Sequence, residues 1–396
     1  MTAQVAPAAA PAAAWGGVLA LALGAFVLVA SEFMPVSLLT PIATDLGVSE
    51  GQAGQAIAVS GAFALVTSLA LSTLAGRLDR KLLLAGLTVL MIVSGTIAAF
   101  APDYATFMVG RACIGIAIGG FWSMSAATAM RLVPADRVPR ALAIVNGGNA
   151  LATVVAAPLG SLLGAVIGWR GAFFCLIPVA AIALAWKVAS LPSMPALRQR
   201  QGASPFALLR RPAVSLGMVA CALLFMGQFT LFTYLRPFLE TVTHAGPTLL
   251  SLLLLTVGIA GFVGTALIGA LLKEGMYATL VAIPLLLAAI ALGLIGCGAS
   301  VPATALLLGL WGMLATSAPV GWWTWVARTL PDDAEAGGGL VVAIVQLAIA
   351  GGATVGGLLF DRYGHPATFG ASAAILLAAA MTAWLAARAA RPARLA

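Results

Sequence analysis

Long apolar runs separated by short polar breaks occupy the chain from about residue 15 to residue 388. A helix needs roughly 20 apolar residues to cross a bilayer, whereas a membrane-spanning β-strand needs only about 10. The runs have the length of helices, and twelve of them can be distinguished. We predict an all-α membrane protein with spans at 15–41, 51–75, 82–101, 104–130, 138–166, 171–190, 213–239, 246–272, 276–297, 300–327, 336–360 and 366–388.

The composition agrees with a membrane protein, because 62% of the residues are hydrophobic and only 8% are charged. The first fourteen residues form an Ala/Pro-rich arm without lysine or arginine, and the apolar run after them is longer than the hydrophobic region of a secretory signal. We therefore expect no cleaved signal peptide. The cysteines lack metal-ligand spacing and are expected to fill apolar space: Cys113, Cys175, Cys221 and Cys297.

Basic residues are distributed unevenly between the two ends of the spans. Sixteen of them, Lys187 included, lie at the ends shared with the termini, three lie at the opposite ends, and Arg111 lies inside a span. Because cytoplasmic loops are enriched in Lys and Arg, we predict that both termini are cytoplasmic. The net charge of +8 then reflects topology, and no nucleic-acid partner is expected.

A Pro/Arg-rich break at 191–212 divides six spans from six. An offset of about 196 residues aligns segment 131–136 with segment 328–333 and places Glu32 opposite Gln228. Two parallel six-helix halves with a central site are typical of secondary transporters. We predict an N-terminal arm at 1–14, a first bundle at 15–190, a linker at 191–212, a second bundle at 213–390 and a basic tail at 391–396.

Glu32 lies inside the first apolar run, far from any predicted loop. A charged group near the bilayer centre costs about 2.5–3.5 kcal/mol on insertion scales, so a carboxylate there indicates a function or a partner. Arg111 lies at a similar depth in the fourth span, and we predict that it faces Glu32. The pair either links protonation of Glu32 to a conformational change or is a permanent ion pair between two helices.

Further polar and aromatic side chains within the spans are candidates for contact with a solute. Amides in membrane helices bind solutes or neighbouring helices, and aromatic rings stack on flat molecules or face lipid. Both alternatives stay open for the candidates, which are Gln228, Asn149, Phe232, Trp122, Asn146, Gln346 and Trp325.

Glycines spaced four residues apart recur within the spans and predict close helix packing rather than nucleotide binding. The sequence contains neither a phosphate-binding loop nor a nucleophile elbow, and both histidines lie in predicted loops. We therefore expect a protein that is not an enzyme and that needs no cofactor or metal. The glycine pairs are Gly115 and Gly119, Gly160 and Gly164, and Gly352 and Gly356.

Three motifs resemble those of the major facilitator superfamily. Residues 76–81 resemble its loop motif after the second span, residues 110–115 its fourth-helix arginine motif, and residues 157–160 with 168–170 its fifth-helix antiporter motif. Blocks at 32–41, 119–125, 227–237 and 319–325 are most similar to the drug:proton antiporter group and, within it, to purine ribonucleoside efflux pumps. The loop motif is shortened, and Ala157 replaces the glycine that usually precedes the proline.

The resemblance implies a bacterial inner-membrane transporter that exports purine ribonucleosides such as inosine, adenosine and guanosine by proton antiport and alternating access. It implies proton coupling through Glu32 and Arg111 and conformational gating through Asp79, Arg80 and Pro158. The expected partners are the nucleoside, protons and the bilayer, and the expected state is a monomer. A broad drug or sugar-type proton-coupled exporter and a transport-inactive sensor or assembly partner remain as alternatives.

Overall fold

A computed structural model describes residues 14–74, 78–195, 208–330 and 333–390. The arm before residue 14, positions 76 and 77 of the loop motif, most of the linker and the basic tail lie outside these residues. The predicted all-α class is confirmed. The long helices are α1 (Trp15–Ser37), α3 (Glu50–Leu74), α4 (Arg80–Phe100), α5 (Tyr104–Leu132), α6 (Val138–Ser190), α7 (Pro212–Phe232), α9 (Pro247–Cys297), α10 (Val301–Thr329) and α11 (Ala334–Ala389); α2 (Leu39–Leu46) and α8 (Leu235–Thr241) are short.

Nine helices within the described residues are long and apolar enough to cross a membrane. Three of them, α6, α9 and α11, contain a non-helical glycine, at Gly168, Gly275 and Gly364. Gly168 and Gly364 have φ values of 76° and 73°, which only glycine adopts readily, so the chain can reverse there. Division at the three glycines gives twelve apolar segments, and the number of membrane crossings stays a prediction.

The two halves of the chain break their helices at equivalent positions. Helix α1 stops at Ser37 and restarts as α2 after Leu38, and α7 stops at Phe232 and restarts as α8 after Tyr234. Leu38 and Tyr234 are related by the offset of 196 residues that aligns the sequences, and so are Gly168 and Gly364. The internal repeat therefore extends to the backbone. We call residues 14–195 the N-half and residues 208–390 the C-half.

The predicted glycine contacts between helices are confirmed. A Cβ added at Gly119 would lie 2.2 Å from the carbonyl oxygen of Ala64 in α3, and one at Gly352 would lie 2.4 Å from that of Met226 in α7. Gly164 likewise leaves room for Leu38, beside α1. Small residues let helix backbones approach closely in a membrane, so these positions serve packing. Equivalent helices pair in both halves, α1 with α6 and α7 with α11.

The hydrogen bonds described between the halves lie on one side of the molecule. We call the side where α1 begins and α11 ends the terminal side, and the opposite side the far side. Thr40 donates to Glu240 at 2.5 Å, and Asp361 accepts from the Ser49 hydroxyl at 2.5 Å and from the Gly51 amide at 2.9 Å. These bonds, the far-side latch, lie at the far ends of helices. The other hydrogen bonds described between the halves also lie in the far part of the molecule.

Candidate functional site

Arg111 is the centre of a hydrogen-bond network between three helices. It is 1% exposed, and its guanidinium donates to the carbonyl of Ser31 at 2.8 Å, of Glu32 at 2.9 Å and of Ala56 at 3.0 Å, and to the Ser60 hydroxyl at 3.1 Å. Helices α1, α3 and α5 are thereby held together. Arg111 therefore contacts Glu32 as predicted, but it does so through the backbone carbonyl of Glu32.

The two side chains do not form the expected ion pair in this structure, and the role of Arg111 in proton coupling stays a prediction. No nitrogen of Arg111 forms an ion pair within 4.0 Å of the Glu32 carboxylate. The physical reason lies in Pro35, which interrupts α1 and has no N–H to donate to the carbonyl four residues earlier, that of Ser31. A membrane interior offers no water to such a carbonyl, and Arg111 supplies the missing donor.

The Glu32 side chain contacts the other half of the molecule. Glu32 is 5% exposed, and the side chain of Gln346 in α11, which is 6% exposed, lies beside its carboxyl group. A carboxylate of the N-half therefore meets an amide of the C-half inside the protein. Since the arginine is engaged elsewhere, this carboxyl can gain or lose a proton without the rupture of a salt bridge.

Four other predicted solute contacts lie on α5, α6 and α7. Gln228 is half-buried, and its Oε1 is a fully buried acceptor without a hydrogen-bond partner. An orphaned buried acceptor is costly, so a donor is expected there when the site is filled. Trp122 packs beside Phe33 against a small apolar cluster, and Asn149 lies half-buried one turn before that cluster's Ala152. Phe232 is half-buried and meets Phe229 edge-on at 6.0 Å.

Two predicted contacts lie elsewhere. Trp325 is completely buried in the C-half, where Nε1 donates to the Tyr277 hydroxyl at 3.2 Å and the ring fills the space beside Gly217. Its surface and its polar atom are both occupied in this structure, and a contact with solute stays a prediction. Asn146 is exposed and donates to the carbonyl of Leu142 in its own helix at 3.0 Å.

The predicted gating residues have local partners within the N-half. Asp79 caps α4 through the Lys81 amide at 2.7 Å and accepts from Ser193 and from the Met194 amide, which lie just after α6. The Ser193 hydroxyl and these amides lower the pKa of Asp79. Arg80 is the first residue of α4, and its amide donates to the Met194 carbonyl at 3.1 Å. These contacts tie the start of α4 to the beginning of the linker.

Pro158 and the residues after it belong to the packing of α6 against α1. Pro158 is buried inside α6, and two residues later Gly160 leaves room for the Ser37 side chain. Beyond the reversal at Gly168, Trp169 Nε1 donates to Asp45 at 3.0 Å and Arg170 forms an ion pair with the same carboxylate. The hydrogen bond from Arg170 lowers the pKa of Asp45. The fifth-helix motif thus anchors the far end of the N-half.

Lys187 is a buried group that the sequence pattern did not identify. Its helix position is on the terminal side, as expected, but the side chain is 1% exposed and extends into the N-half. Nζ donates to the Thr88 hydroxyl at 2.7 Å and lies 5.3 Å from the centre of the Phe121 ring. A Cβ at Gly24 would lie 2.5 Å from Nζ, so this glycine makes room for the lysine. The only signal available was that the apolar helix continues past Lys187 to Ser190.

Two cavities lie apart from these residues. One of about 420 Å³, between the terminal ends of α1, α5 and α6, is lined by Arg131, Ser190 and neighbouring residues. A second, of about 400 Å³, is lined by apolar residues around the start of α4. Neither contains a predicted site residue. The candidate site is therefore the set of side chains around Glu32 and Gln346.

The chain is similar to one protein family and to several of its members. The family model described as Major Facilitator Superfamily matches residues 21–337. The Transcription regulatory protein OpdE of Pseudomonas aeruginosa is 64% identical over 96% of this chain and 95% of its own length. The Purine ribonucleoside efflux pump NepI of Salmonella paratyphi B is 42% identical over 93% of this chain and 92% of its own length.

Solved structures share the fold at low sequence identity. A D-xylose-proton symporter has a TM-score of 0.73 at 14% identity, over 93% of this chain and 97% of its own. A bacterial homologue of the human lysosomal transporter Spinster, in an inward-facing and unoccupied conformation, has a TM-score of 0.74 at 15% identity, over 96% of this chain and 98% of its own. At such identities the likeness concerns the backbone alone.

Proposed function

Because the chain belongs to the major facilitator superfamily and is a multi-pass membrane transporter rather than an enzyme, we propose that it exports purine ribonucleosides in exchange for protons. The observation that carries the proposal is the buried contact between Glu32 of the N-half and Gln346 of the C-half. A protonatable group at the boundary between two halves can make their relative position depend on its charge.

The exchange proceeds by alternating access. Glu32 takes a proton when the far side is open, and the two halves then rock. The proton leaves on the terminal side as the nucleoside is taken up for export. With the latch closed, the geometry supports a state that faces the terminal side. We propose that the protein lies in a bacterial inner membrane and that the terminal side faces the cytoplasm, because this side has an excess of Lys and Arg.

The energy of one proton suffices for export of a neutral nucleoside. Movement of one charge across 100 mV contributes about 2.3 kcal/mol, and each pH unit contributes about 1.4 kcal/mol. A neutral solute needs about 1.4 kcal/mol for each tenfold of concentration. Gln228, Asn149, Trp122 and Phe232 are the proposed nucleoside contacts, and the unpartnered Oε1 of Gln228 is the acceptor for a base N–H or a ribose hydroxyl.

Uptake of labelled inosine into energised inside-out membrane vesicles tests this function. Accumulation that an uncoupler abolishes is the expected result, and vesicles without the protein are the control. Lack of accumulation with folded protein present would contradict nucleoside export. Uncoupler-sensitive accumulation of labelled lipophilic cations or sugars would then identify the drug or sugar-type exporter.

A second candidate function is a regulatory one, favoured by the name of the relative with 64% identity, a transcription regulatory protein. In this case the chain would sense a solute or assemble with a partner and carry no net flux. The vesicle assay separates the candidates, because a sensor binds inosine without accumulation. Equilibrium binding of labelled inosine to the purified protein, together with absence of transport, would support it.

A further inference from the structure

Phe33 and Phe229 form a stacked pair between the two halves. Their ring centres are 5.6 Å apart with an interplanar angle of 26°, and the rings belong to α1 and α7. The two residues are related by the same offset of 196 that aligns the halves. The pair therefore lies where the two halves meet about their internal symmetry. Phe33 is half-buried, and Phe229 is 5% exposed.

Each ring of the pair is next in sequence to a residue of the candidate site. Phe33 follows Glu32 in the chain, and Phe229 follows Gln228, the residue with the unpartnered Oε1. Trp122 packs near Phe33 against shared apolar residues, and Phe232 lies edge-on to Phe229. Ring faces from both halves thus meet within one residue of Glu32 and of Gln228 along the chain.

Opening of the far side must separate the rings, because one belongs to each half. The far-side latch, from Thr40 to Glu240 and from Ser49 to Asp361, must break in the same movement. Each ring then loses its stacking partner and exposes an apolar face to water, which is unfavourable. A flat aromatic molecule between the rings restores a contact to both faces.

We propose that Phe33 and Phe229 are an aromatic clamp that opens with the far side and holds the flat base of the outgoing nucleoside between its rings. The clamp rests on the proposed function and defines its selectivity: substrates with a planar ring are held, and free sugars are not. Every base has a π-face, so the clamp accepts different bases, and the polar groups beside it choose among them.

Leucine substitutions test the clamp, since leucine keeps apolar bulk and removes the ring face. For Phe33→Leu and Phe229→Leu we expect the KM for inosine supplied on the far side, measured as exchange in right-side-out vesicles, to rise about tenfold. The maximal rate should stay close to wild type, and competition by free ribose should be unchanged. Phe33→Tyr and Phe229→Tyr keep the ring and should restore the wild-type KM. Phe173→Leu removes a buried ring elsewhere in the N-half and is the matched control.

The outcomes separate the clamp from the transport function. A wild-type protein that accumulates inosine, with leucine variants whose KM equals that of the Phe173→Leu control, contradicts the clamp alone. A wild-type protein that accumulates no inosine contradicts the proposed function and the clamp's ligand together. Thermal unfolding of each variant verifies folding, and the tyrosine variants provide the comparison if a leucine variant unfolds.

Discussion

The two halves share a backbone plan and differ in the chemistry of their interiors. Among the described residues, the buried charged side chains are all in the N-half, and the C-half has neutral residues at the equivalent positions. A change of protonation therefore alters the charge of one half only, and that half moves against a neutral partner. The charged residues and their C-half equivalents are Glu32 and Gln228, Arg111 and Leu307, and Lys187 and Ala383.

The donors to one pair of equivalent backbone carbonyls differ between the halves. In the N-half the carbonyl of Ser31 accepts from Arg111, because Pro35 supplies no N–H. The equivalent carbonyl of the C-half, that of Gly227, accepts from the Ser372 hydroxyl at 2.6 Å. Proline and arginine thus occur together in one half, whereas Leu231, at the equivalent position of the other half, keeps its N–H and the Ser372 hydroxyl adds a further bond. The comparison suggests that Arg111 is first a donor to the helix backbone.

The largest effect is expected from Glu32→Gln. This substitution gives the N-half the same neutral side chain that the C-half has at the equivalent position, Gln228. The variant should lose all uncoupler-sensitive accumulation of inosine, because the amide carries no exchangeable charge, while exchange of labelled for unlabelled inosine continues. Vesicle uptake and counterflow measure the two properties. Glu274→Gln changes an exposed carboxylate and should behave as wild type. Active export by Glu32→Gln would contradict the assignment.

A loss of stability is expected next, from Arg111→Met. The variant loses four hydrogen bonds, and bonds to charged groups contribute about 1.5–3 kcal/mol each in soluble proteins and less in membranes. The Tm in detergent should therefore fall.

The matched variant Pro35→Ala restores the amide that the Ser31 carbonyl lacks. The double variant should recover part of the Tm lost by Arg111→Met, a non-additivity expected of residues that share one partner. Fully additive changes in Tm would show that Arg111 does not compensate for the proline.

A smaller effect is expected from Gly51→Ala, which acts on the contact between the halves. A Cβ at Gly51 would lie 2.6 Å from the carbonyl oxygen of Gly357, across the interface. The far side should close less completely, and the turnover of inosine should fall while Glu32 remains functional. Gly86→Ala is the control, since nothing lies within 4 Å of its added Cβ. Equal turnover of the two variants would mean that closure tolerates the methyl group.

The smallest effect is expected from Lys187→Met, which makes the N-half more like the C-half. A buried cation without a carboxylate partner is unfavourable, and methionine fills similar space. Thr88 loses a donor but keeps its own bond to the Leu84 carbonyl at 2.7 Å. The Tm should stay the same or rise slightly. A marked fall in Tm would show that the ammonium stabilises the N-half.

Much of the fold followed from the sequence, because apolar run length and internal repetition are properties of the chain itself. The apolar helices, the offset of 196 residues and the glycine contacts between helices were all predicted from these patterns, and the count of twelve spans stays a prediction. The position of Glu32 inside a helix of the membrane was predicted for the same reason, since a carboxylate within an apolar run can be recognised without a structure. The depth of Arg111 beside Glu32 was also predictable from helix rise.

Side-chain direction was not predictable from these patterns. The choice of Arg111 between a carboxylate and a carbonyl depends on which oxygen Pro35 leaves without a donor. The inward direction of Lys187 depends on the space at Gly24, a residue distant in sequence. Trp325 belongs to the block 319–325 and was a candidate for contact with a solute, yet its ring is buried within the C-half. Such outcomes are decided by three-dimensional packing, which periodicity does not encode.

The most direct test of whether Glu32 couples proton transport to nucleoside transport is to measure proton movement that an inosine gradient drives. Purified protein in liposomes with a trapped pH-sensitive dye would receive an inosine gradient, with Glu32→Gln in parallel. Wild-type protein should move protons against the inosine flow and change the internal pH, and Glu32→Gln should pass inosine without that change. The same change of internal pH in both proteins would show that the proton binds elsewhere.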